Sequence, residues 1–518
     1  MNQKKTDILI IGLGLGGMTA AITAAKSGKK ITIITKTDSC VSGNTPWAQG
    51  GIVYKGLNDS REKLKSDILN AGSGHCWEEA VDHLCNNGPR LVKEILLDTL
   101  NTKFDTIDGE LKRVAEGAHS DSRVIYNQDK TGASIHQSAL SYLQALDNVD
   151  ILTGYTAIDL LTFSHHSIVS TDIYKKPACF GVMLLNNSTN EVLPILASKT
   201  ILATGGLGQL FLHTTNPKEA TGDGIAMAWR AGARCFNLHY IQFHPTALFH
   251  PTGRFLISEA VRGEGGKLVN AHREEFMHHY HKLGALAPRD VVSRAIHMEM
   301  IKGDADCMFL DITHKNSFWI QERFPTIYNY CLSSGIDMTQ ELIPVVPAAH
   351  YSCGGVGVNL VGKTSLKRLY AVGEIACSGL HGANRLASTS LLECIVWGHF
   401  AGQDAIYNED DDGDYFPSMD SWKQGTSDVD PSQLAQEWLT IKNTMWNLAG
   451  LIRSQEKLHS AMHILRNLQS DVERFYQNSR LDKNVIALRN GAQTALAIIA
   501  SSIEARESKG THYIVDDK

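Results

Sequence analysis

Apolar residues near the amino end of the chain form two short runs separated by a glycine-rich turn. The runs are DILII (7–11) and ITIIT (31–35), and unbroken apolar runs of this length are typical of strands buried on both faces. The segment between them has a helical composition after the glycines. The pattern therefore predicts a strand, a tight turn, a helix and a second strand.

The turn has the spacing G-x-G-x-x-G, formed by Gly12, Gly14 and Gly17. In this motif the first glycine allows the tight turn, the second lets the backbone approach a pyrophosphate, and the third lets the helix pack against the strand. The helix then directs its first amides at the phosphates. The motif alone is weak, but the strand before it and the helix after it predict a dinucleotide site.

The second strand ends at Lys36, where dinucleotide-binding proteins usually place an acidic residue that holds a ribose. A lysine at this point weakens the case for NAD. It leaves a flavin dinucleotide open.

Two later segments, 200–206 and 369–402, continue the same type of sheet. The first is an apolar strand that ends in a glycine pair, and the second is a strand, a glycine-rich loop and a helix. We therefore expect a discontinuous nucleotide-binding domain over 1–230 and 346–405, with an insertion at 231–345.

Apolar residues return at helical spacing near the carboxyl end. This pattern predicts a helical domain over 430–518, and the acidic stretch before it predicts a linker over 406–429. The histidine-rich stretch HREEFMHHYHKLG (272–284) fits an exposed helix. The histidines at 165–166 and 278–281 favour a surface role over a metal site.

Composition excludes several classes of protein. The 518 residues predict more than one domain, and the net charge of −6 gives no basic surface for nucleic acid. Ten cysteines are scattered without a C-x-x-C pair, which favours reduced thiols in a cytosolic enzyme. Glycines interrupt the first apolar run, and no other run is long enough to span a bilayer. We expect a cytoplasmic protein that binds neither membrane nor nucleic acid.

His350 stands among small residues in PAAHYSCGGV (347–356). A lone histidine of this kind is more often a core residue that hydrogen-bonds to the backbone. The small neighbours also leave room for a ligand, so both interpretations stand on this stretch alone.

Several stretches, in this order, resemble the fumarate reductase/succinate dehydrogenase flavoprotein family over almost the whole chain. They are SGNTPWAQGGI (42–52), EGAHS (116–120), QFHPTAL (242–248), SEAVRGEGG (258–266), APRDVVSRAI (287–296), PAAHYSCGGV (347–356) and GLHGANRLASTSLLE (379–393). Within that family the chain is most similar to the members that oxidise L-aspartate. The resemblance implies an α/β FAD-binding Rossmann-like domain, an inserted α+β capping domain and a C-terminal helical bundle.

The resemblance also implies where the cofactor and the substrate bind. The FAD contacts fall on Gly12, Gly14, Leu15, Gly16, Gly17, Lys36, Asn44, Thr45, Ala48, Gln49, Gly50, Gly51, Asp223, Glu374, Ser390 and Leu391. The substrate contacts fall on His244, His350, Arg385, Ser258 and Gln242. No metal is implied. Asp223 taken alone is also explained as a simple helix cap.

The catalytic residues implied by the resemblance are Arg289, Glu259, Arg262 and Glu116. Arg289 would deliver a proton during fumarate reduction, with Glu259 and Arg262 as its relay, because an arginine alone is a poor acid. Without the family, an Arg289–Asp290 pair at a helix end is the simpler interpretation.

Glu116 and Asn44 favour an amino-acid substrate over succinate. Fumarate reductases usually carry glutamine at the position of Glu116, and a carboxylate there would pair with a substrate ammonium. Taken alone, Glu116 is equally an exposed loop residue. Members in membrane complexes carry a histidine bonded to FAD at the position of Asn44, so we expect noncovalent FAD.

The expected activity is oxidation of L-aspartate to iminoaspartate, the first step of NAD biosynthesis, with O2 or fumarate as acceptor. Handover of the product to quinolinate synthase is the expected partnership. The alternatives are a soluble fumarate reductase, an electron-transfer flavoprotein subunit of a succinate dehydrogenase-like complex, and an FAD-binding scaffold without catalysis.

Overall fold

The computed structural model describes residues 4–251, 253–407, 415–420, 422–423 and 425–515. Its strands are β1 (Lys4–Ile11), β2 (Ile31–Ile34), β3 (Ile52–Val53), β4 (Thr106–Ile107), β5 (Glu110–Leu111), β6 (Arg113–Val114), β7 (Val124–Ile125), β8 (Val149–Leu152), β9 (Tyr155–Thr162), β10 (Cys179–Asn186), β11 (Val192–Leu202), β12 (Cys235–Phe236), β13 (Ile241–His250), β14 (Gly253–Leu256), β15 (Lys267–Val269), β16 (Met308–Asp311), β17 (Ile343–Ser352), β18 (Gly355–Gly357), β19 (Leu369–Ala371) and β20 (Ala376–Cys377).

The helices alternate with these strands in the first half of the chain and dominate its carboxyl end. They are α1 (Leu15–Ala25), α2 (Arg61–Ala71), α3 (Glu78–Leu91), α4 (Thr131–Gln144), α5 (Phe163–His166), α6 (Asp223–Arg230), α7 (Glu259–Gly263), α8 (Arg289–Lys302), α9 (Ser317–Arg323), α10 (Pro325–Ser333), α11 (Ser390–Tyr407), α12 (Pro431–Ala449), α13 (Gln455–Asn478) and α14 (Lys483–Glu504).

The main sheet has the strand order β8-β2-β1-β11-β10-β9, with β19 also paired to β11. Its centre is parallel: β1 pairs in this sense with β2 and β11, β2 with β8, and β11 with β19. β10 and β9 add an antiparallel edge. The strands predicted from the first two apolar runs are confirmed as β1 and β2.

The side chains of β1 alternate between two separate cores. Ile8 and Ile10 pack into a core formed with α1, α4 and α11. Leu9 and Ile11 pack into the opposite core, which the C-terminal helices complete. Since successive side chains of a strand point to opposite faces, an unbroken apolar run is what a sheet covered on both faces requires.

A second, five-stranded sheet lies in the insertion and is antiparallel throughout, in the order β14-β13-β17-β16-β15. It has a core of its own, built with α8, α9 and α10. The register pairs His244 of β13 with Ala348 of β17. This pairing brings His244 close to His350, although the two are distant in sequence.

The segment after α14 folds back onto the loop that follows β20. The backbone N–H of Thr511 donates to the carbonyl of Ala383 at 3.0 Å, and the Thr511 hydroxyl donates to the same oxygen at 3.0 Å. Arg294 of α8 donates to the carbonyl of Gly510 at 3.4 Å. The C-terminal segment therefore joins the insertion to the loop that leads into α11.

The exposed helix predicted over 272–284 is wrong. Arg273 has φ +64°, which ends regular helical backbone, and only a short 3-10 segment, Met277–His279, forms there. Phe276 and Met277 are adjacent and both buried. Two neighbouring buried residues do not have the spacing of three or four residues that the buried face of a helix requires.

Other expectations concern the linker, metals and membranes. α11 continues to Tyr407, inside the predicted linker, and the acidic residues 408–414 lie outside the described part of the chain. Within the described ranges, no cluster of three or more histidine, cysteine or acidic residues is placed to hold a metal ion. Of the helices described, none combines the length and apolarity needed to cross a bilayer.

Candidate active site

A cavity of about 820 Å³ lies between the carboxyl ends of the parallel strands and the antiparallel sheet. Most of the predicted site residues line it, although they come from distant parts of the sequence. On the cofactor side they are Gly12, Gly14, Leu15, Gly16, Lys36, Asn44, Thr45, Ala48, Gln49, Gly50, Gly51, Asp223, Glu374, Ser390 and Leu391. On the substrate side they are Glu116, His244, Ser258, Glu259, Arg289, His350 and Arg385.

The glycine turn between β1 and α1 forms one wall of the cavity. Gly12 has φ +110°, and a Cβ there would lie 2.2 Å from the Ala203 carbonyl oxygen, so only glycine fits. Gly17 does not line the cavity. A Cβ on Gly17 would lie 2.9 Å from the Ala203 Cβ, so its absence lets α1 pack on the sheet, as the third glycine of the motif does.

Lys36 at the end of β2 is paired with an acidic residue from another part of the chain. Its ammonium donates to Asp223 Oδ2 at 2.6 Å and to the Thr221 hydroxyl at 2.9 Å. Asp223 also accepts from the Asn490 side chain at 3.1 Å. Asp223 is the first residue of α6, and Gly222 rather than Asp223 is the helix cap.

Asn44 contacts the cavity acid Glu374. The Asn44 amide donates to Glu374 Oε2 at 2.8 Å, and the Ser352 N–H donates to Oε1 at 3.1 Å. Burial nevertheless raises the pKa of Glu374 to about 7, because these bonds only partly offset the loss of water.

We expect Glu374 to make the FAD-free protein less stable as pH rises. Its carboxyl has an ordinary pKa of 4.5 and a folded-state pKa of about 7, so the folded state binds the proton more tightly. Stability therefore falls between these pH values, by about 3 kcal/mol in total at about 1.4 kcal/mol per pKa unit, and levels off above them. Thermal unfolding from pH 5 to 8 should show a falling Tm that Glu374→Gln abolishes.

The matched control for this pH series is Glu62→Gln, on the exposed face of α2. It should follow the wild-type curve. A constant difference in Tm between wild type and Glu374→Gln at every pH would contradict the elevated pKa.

The two predicted histidines face each other across the antiparallel sheet, with ring centroids 5.1 Å apart. The Thr246 N–H donates to His244 Nδ1 at 3.2 Å, which leaves Nε2 to carry the ring proton. The Thr215 hydroxyl lies 2.8 Å from His350 Nδ1. Burial first, and then nearby arginines, hold the pKa of both histidines well below 6.5. Both rings are therefore neutral hydrogen-bonding groups.

Arg289 at the start of α8 is paired with Glu259, not with its sequence neighbour. Its Nε donates to Glu259 Oε2 at 2.5 Å, while Asp290 pairs with Arg294 at 2.8 Å. The simpler interpretation, an Arg289–Asp290 pair, is wrong. Arg262 lies 3.7 Å from Glu259 on the other side.

Glu259 is buried between the two arginines. Burial pushes its pKa upward, but Arg289 and Arg262 outweigh that effect and hold the pKa at about 2. Arg262 itself is buried behind the cavity wall and does not line it. The three side chains form a continuous row from the cavity into the protein.

Gln242 also lies behind the cavity wall. Its Nε2 donates to Asn384 Oδ1 at 2.7 Å and to the Arg385 carbonyl at 2.9 Å, and its Oε1 accepts from Arg289 Nη1 at 3.2 Å. This buried amide therefore ties the side chain of Arg289 to the backbone of Arg385. That position suits it to orienting them.

The guanidinium of Arg385 is held over an aromatic ring. Its carbon lies 4.2 Å from the ring centroid of Tyr351, and its Nη1 donates to the Ser390 hydroxyl at 2.7 Å. Ser258 lies at the cap of α7, where its hydroxyl accepts from the Ala260 N–H at 3.3 Å. Both residues line the cavity.

Glu116 lines the cavity and is not a free loop residue. Its Oε2 accepts from the Ser388 hydroxyl at 2.6 Å. Sequence reasoning missed Ser388, and also Tyr351 and Thr215, which contact Arg385 and His350. Tyr351 is adjacent to His350, and Ser388 lies between Arg385 and Ser390, so sequence proximity was an available signal for both; no such signal existed for Thr215.

Comparison with known proteins shows the family to which the chain belongs. The FAD binding domain family matches residues 7–391. The chain is 40% identical to L-aspartate oxidase 1 of Ralstonia nicotianae over 98% of its own length and 95% of that protein. It is 39% identical to the L-aspartate oxidase of Halobacterium salinarum, over 99% and 97% respectively.

Solved structures give the same fold. The FrdA chain of an E. coli quinol fumarate reductase superposes with a TM-score of 0.87 at 27% identity, covering 100% of this chain and 92% of that one. A Mycobacterium smegmatis Sdh1 structure in complex with UQ1 gives 0.81 at 25%, covering 99% and 89%. The Rossmann-like, capping and helical parts predicted from sequence are thereby confirmed.

Proposed function

Because the chain belongs to the FAD binding domain family and, within it, to the L-aspartate oxidases, we propose that it oxidises L-aspartate to iminoaspartate. This reaction begins NAD biosynthesis from aspartate. The observation that carries the proposal is the carboxylate of Glu116 in a cavity that is also lined by three arginines, Arg254, Arg289 and Arg385, and by two neutral histidines. A dicarboxylate with an ammonium group is complementary to that set of charges.

FAD is the cofactor, and the cavity fits it. The glycine turn lets backbone approach a pyrophosphate, and Gly14, Leu15 and Gly16 at the start of α1 line the same cavity. The volume of about 820 Å³ lies within the range of ligand sites. We propose noncovalent binding, since Asn44 offers an amide where a covalent attachment would need a nucleophilic ring.

When bound, FAD would supply the acceptor for the hydride from C2 of L-aspartate, while the substrate ammonium gives up one proton as the imine forms, and it would be reoxidised by O2, giving hydrogen peroxide, or by fumarate, giving succinate. The protein's contribution is to bind, orient and exclude water. Arg385, His244 and His350 hold the two carboxylates, with Ser258 as a further donor. Neutral histidines serve here because they donate hydrogen bonds without the desolvation cost of a fixed charge.

Glu116 pairs with the substrate ammonium. In the fumarate direction, Arg289 donates a proton to the carbon beside the one that receives hydride. Glu259 and Arg262 return that proton, and the 2.5 Å contact between Arg289 and Glu259 supports this order. Gln242 and Arg262 act from behind the cavity wall.

The domain division separates the parallel sheet from the core of the antiparallel sheet and from the helical end, and its boundary at 345/346 falls inside β17. We propose the FAD-binding domain over 1–230 and 346–405, the capping domain over 231–345, a linker over 406–429 and the helical domain over 430–518. The separate core of the antiparallel sheet supports a cap that can move as a unit.

The proposed location is the cytoplasm, and the proposed acceptors are O2 and fumarate. Iminoaspartate hydrolyses readily in water, which favours rapid transfer of the product to quinolinate synthase. The alternatives are a soluble fumarate reductase and an electron-transfer subunit. Neither binds a substrate with an ammonium group, so neither explains the carboxylate of Glu116 in the cavity.

The test is peroxide production in air by the purified protein supplied with FAD. L-aspartate should give peroxide, whereas succinate and D-aspartate should give none. Fumarate reduction by a reduced dye without any peroxide from L-aspartate would favour the reductase instead.

A further inference from the structure

Ser388 has a backbone conformation that is costly for its residue type. Its φ is +57°, in the left-handed region, where any residue other than glycine is destabilised by about 1 kcal/mol. Such strain persists where the surroundings require it, and it concentrates at functional sites. Ser388 lines the cavity, so a role of its side chain in the site would explain why the strained conformation is kept.

The hydroxyl of Ser388 has a fixed direction. The Gly51 N–H donates to Ser388 Oγ at 3.3 Å, so this oxygen is already an acceptor. A hydroxyl has a single proton to donate, and Glu116 Oε2 lies 2.6 Å from Oγ. The proton therefore points at the Glu116 carboxylate.

Glu116 is held from its other side as well. A Cβ added to Gly50 would lie 2.8 Å from Glu116 Oε1, so the carboxylate lies directly against the Gly50 backbone. One oxygen is thus tied to a hydroxyl and the other is packed against main chain. Together the two contacts leave the carboxylate little freedom to rotate.

The backbone of Ser388 does not depend on this hydroxyl. The Val53 N–H donates to the Ser388 carbonyl at 3.2 Å. The Glu393 N–H donates to the Thr389 carbonyl at 2.9 Å, which forms the turn into α11. Main-chain bonds therefore hold the segment in place. The single proton of the hydroxyl is therefore available to the Glu116 carboxylate.

We propose that Ser388 is a positioning residue that sets selectivity for the substrate amino group, by fixing the Glu116 carboxylate toward the place of that group. This inference rests on the proposed function, because it assigns Glu116 to an ammonium. Dicarboxylates without an amino group do not need an oriented carboxylate there. Ser388 should therefore matter for L-aspartate and not for succinate.

The experiment compares Ser388→Ala and Ser388→Gly with wild type, all loaded with FAD. The KM for L-aspartate should rise about tenfold in both, as expected for losing a hydrogen bond to a charged group, while kcat changes little. The inhibition constant of succinate should stay within about twofold. Glycine removes the hydroxyl and also the backbone strain, so agreement between the two variants assigns the effect to the hydroxyl.

Ser73→Ala is the matched control, since Ser73 also has a left-handed φ, of +55°, and is exposed. It should leave both constants unchanged. Equal changes for L-aspartate and succinate, or no change in either, would overturn the role of Ser388. Failure of the wild-type protein to oxidise L-aspartate would instead overturn the proposed function, so the two failures are distinguishable.

Discussion

Arg289→Leu is expected to lower fumarate reduction by about 10⁴-fold, at the upper end of what a positioned general acid contributes. Leucine removes the proton donor at the cavity wall. It also leaves Glu259 buried with only Arg262, 3.7 Å away, as a cationic partner. The measurement is fumarate-dependent oxidation of a reduced dye, with substrate concentration varied to separate kcat from KM.

Lys302→Leu, at the other end of the same helix, is the control for this variant. Lys302 is exposed, pairs with Glu299 at 2.9 Å and does not line the cavity, so the kinetic constants should stay near those of wild type. If Arg289→Leu kept more than a tenth of the wild-type turnover, another group would have to supply the proton.

Glu116→Gln is expected to lower kcat/KM for L-aspartate by about 10³-fold. Glutamine keeps the shape of the side chain but leaves the substrate ammonium without its counter-charge, and breaking a buried ion pair costs about 3–5 kcal/mol. Fumarate reduction should fall far less, by about tenfold at most, because fumarate has no ammonium. Peroxide production and dye oxidation on the same preparation measure the two activities.

Glu110→Gln gives the matched change on an exposed residue of β5, in the same part of the chain. Both activities should remain unchanged in it. Equal losses of aspartate oxidation and fumarate reduction in Glu116→Gln would show that Glu116 acts on both substrates alike, against its role in selectivity.

The nucleotide-binding half of the fold was predictable because its signals are local. An apolar run, a glycine turn and a helix occupy one short stretch, and each has a physical reason that can be stated residue by residue. The antiparallel sheet was predictable only as an α+β insertion, through the family. Its strands pair residues far apart, such as Ile241 with Ser352, and no local pattern specifies that register.

The cavity residues came mostly from the resemblance, and the structure brings most of them together. Their arrangement in depth was not predictable. Gln242 was expected to contact the substrate, yet it lies behind the wall, as does Arg262, which was expected as a relay to Arg289 through Glu259. Sequence identifies a polar residue near a site, but burial and partner choice depend on tertiary packing.

Pairings across the fold were the other unpredictable part. Nothing near Lys36 indicates that its partner is Asp223, and nothing near Glu116 indicates Ser388. The strain at Ser388 is invisible in sequence, because serine is ordinary in any loop. In the histidine-rich stretch 272–284, composition suggested a helix that does not form, because the left-handed backbone of Arg273 interrupts it.

The contact of Thr511 and Gly510 with the loop before Arg385 has a consequence for how the enzyme is made. The ribosome synthesises a chain from its amino end, and the amino-terminal domains fold first. Residues 510–511 emerge after every strand and helix named above, including the C-terminal helices that complete one of the two cores of the parallel sheet. The Arg385 loop therefore gains this brace only after the rest of the fold, and until then the chain would hold Arg385 less firmly in place.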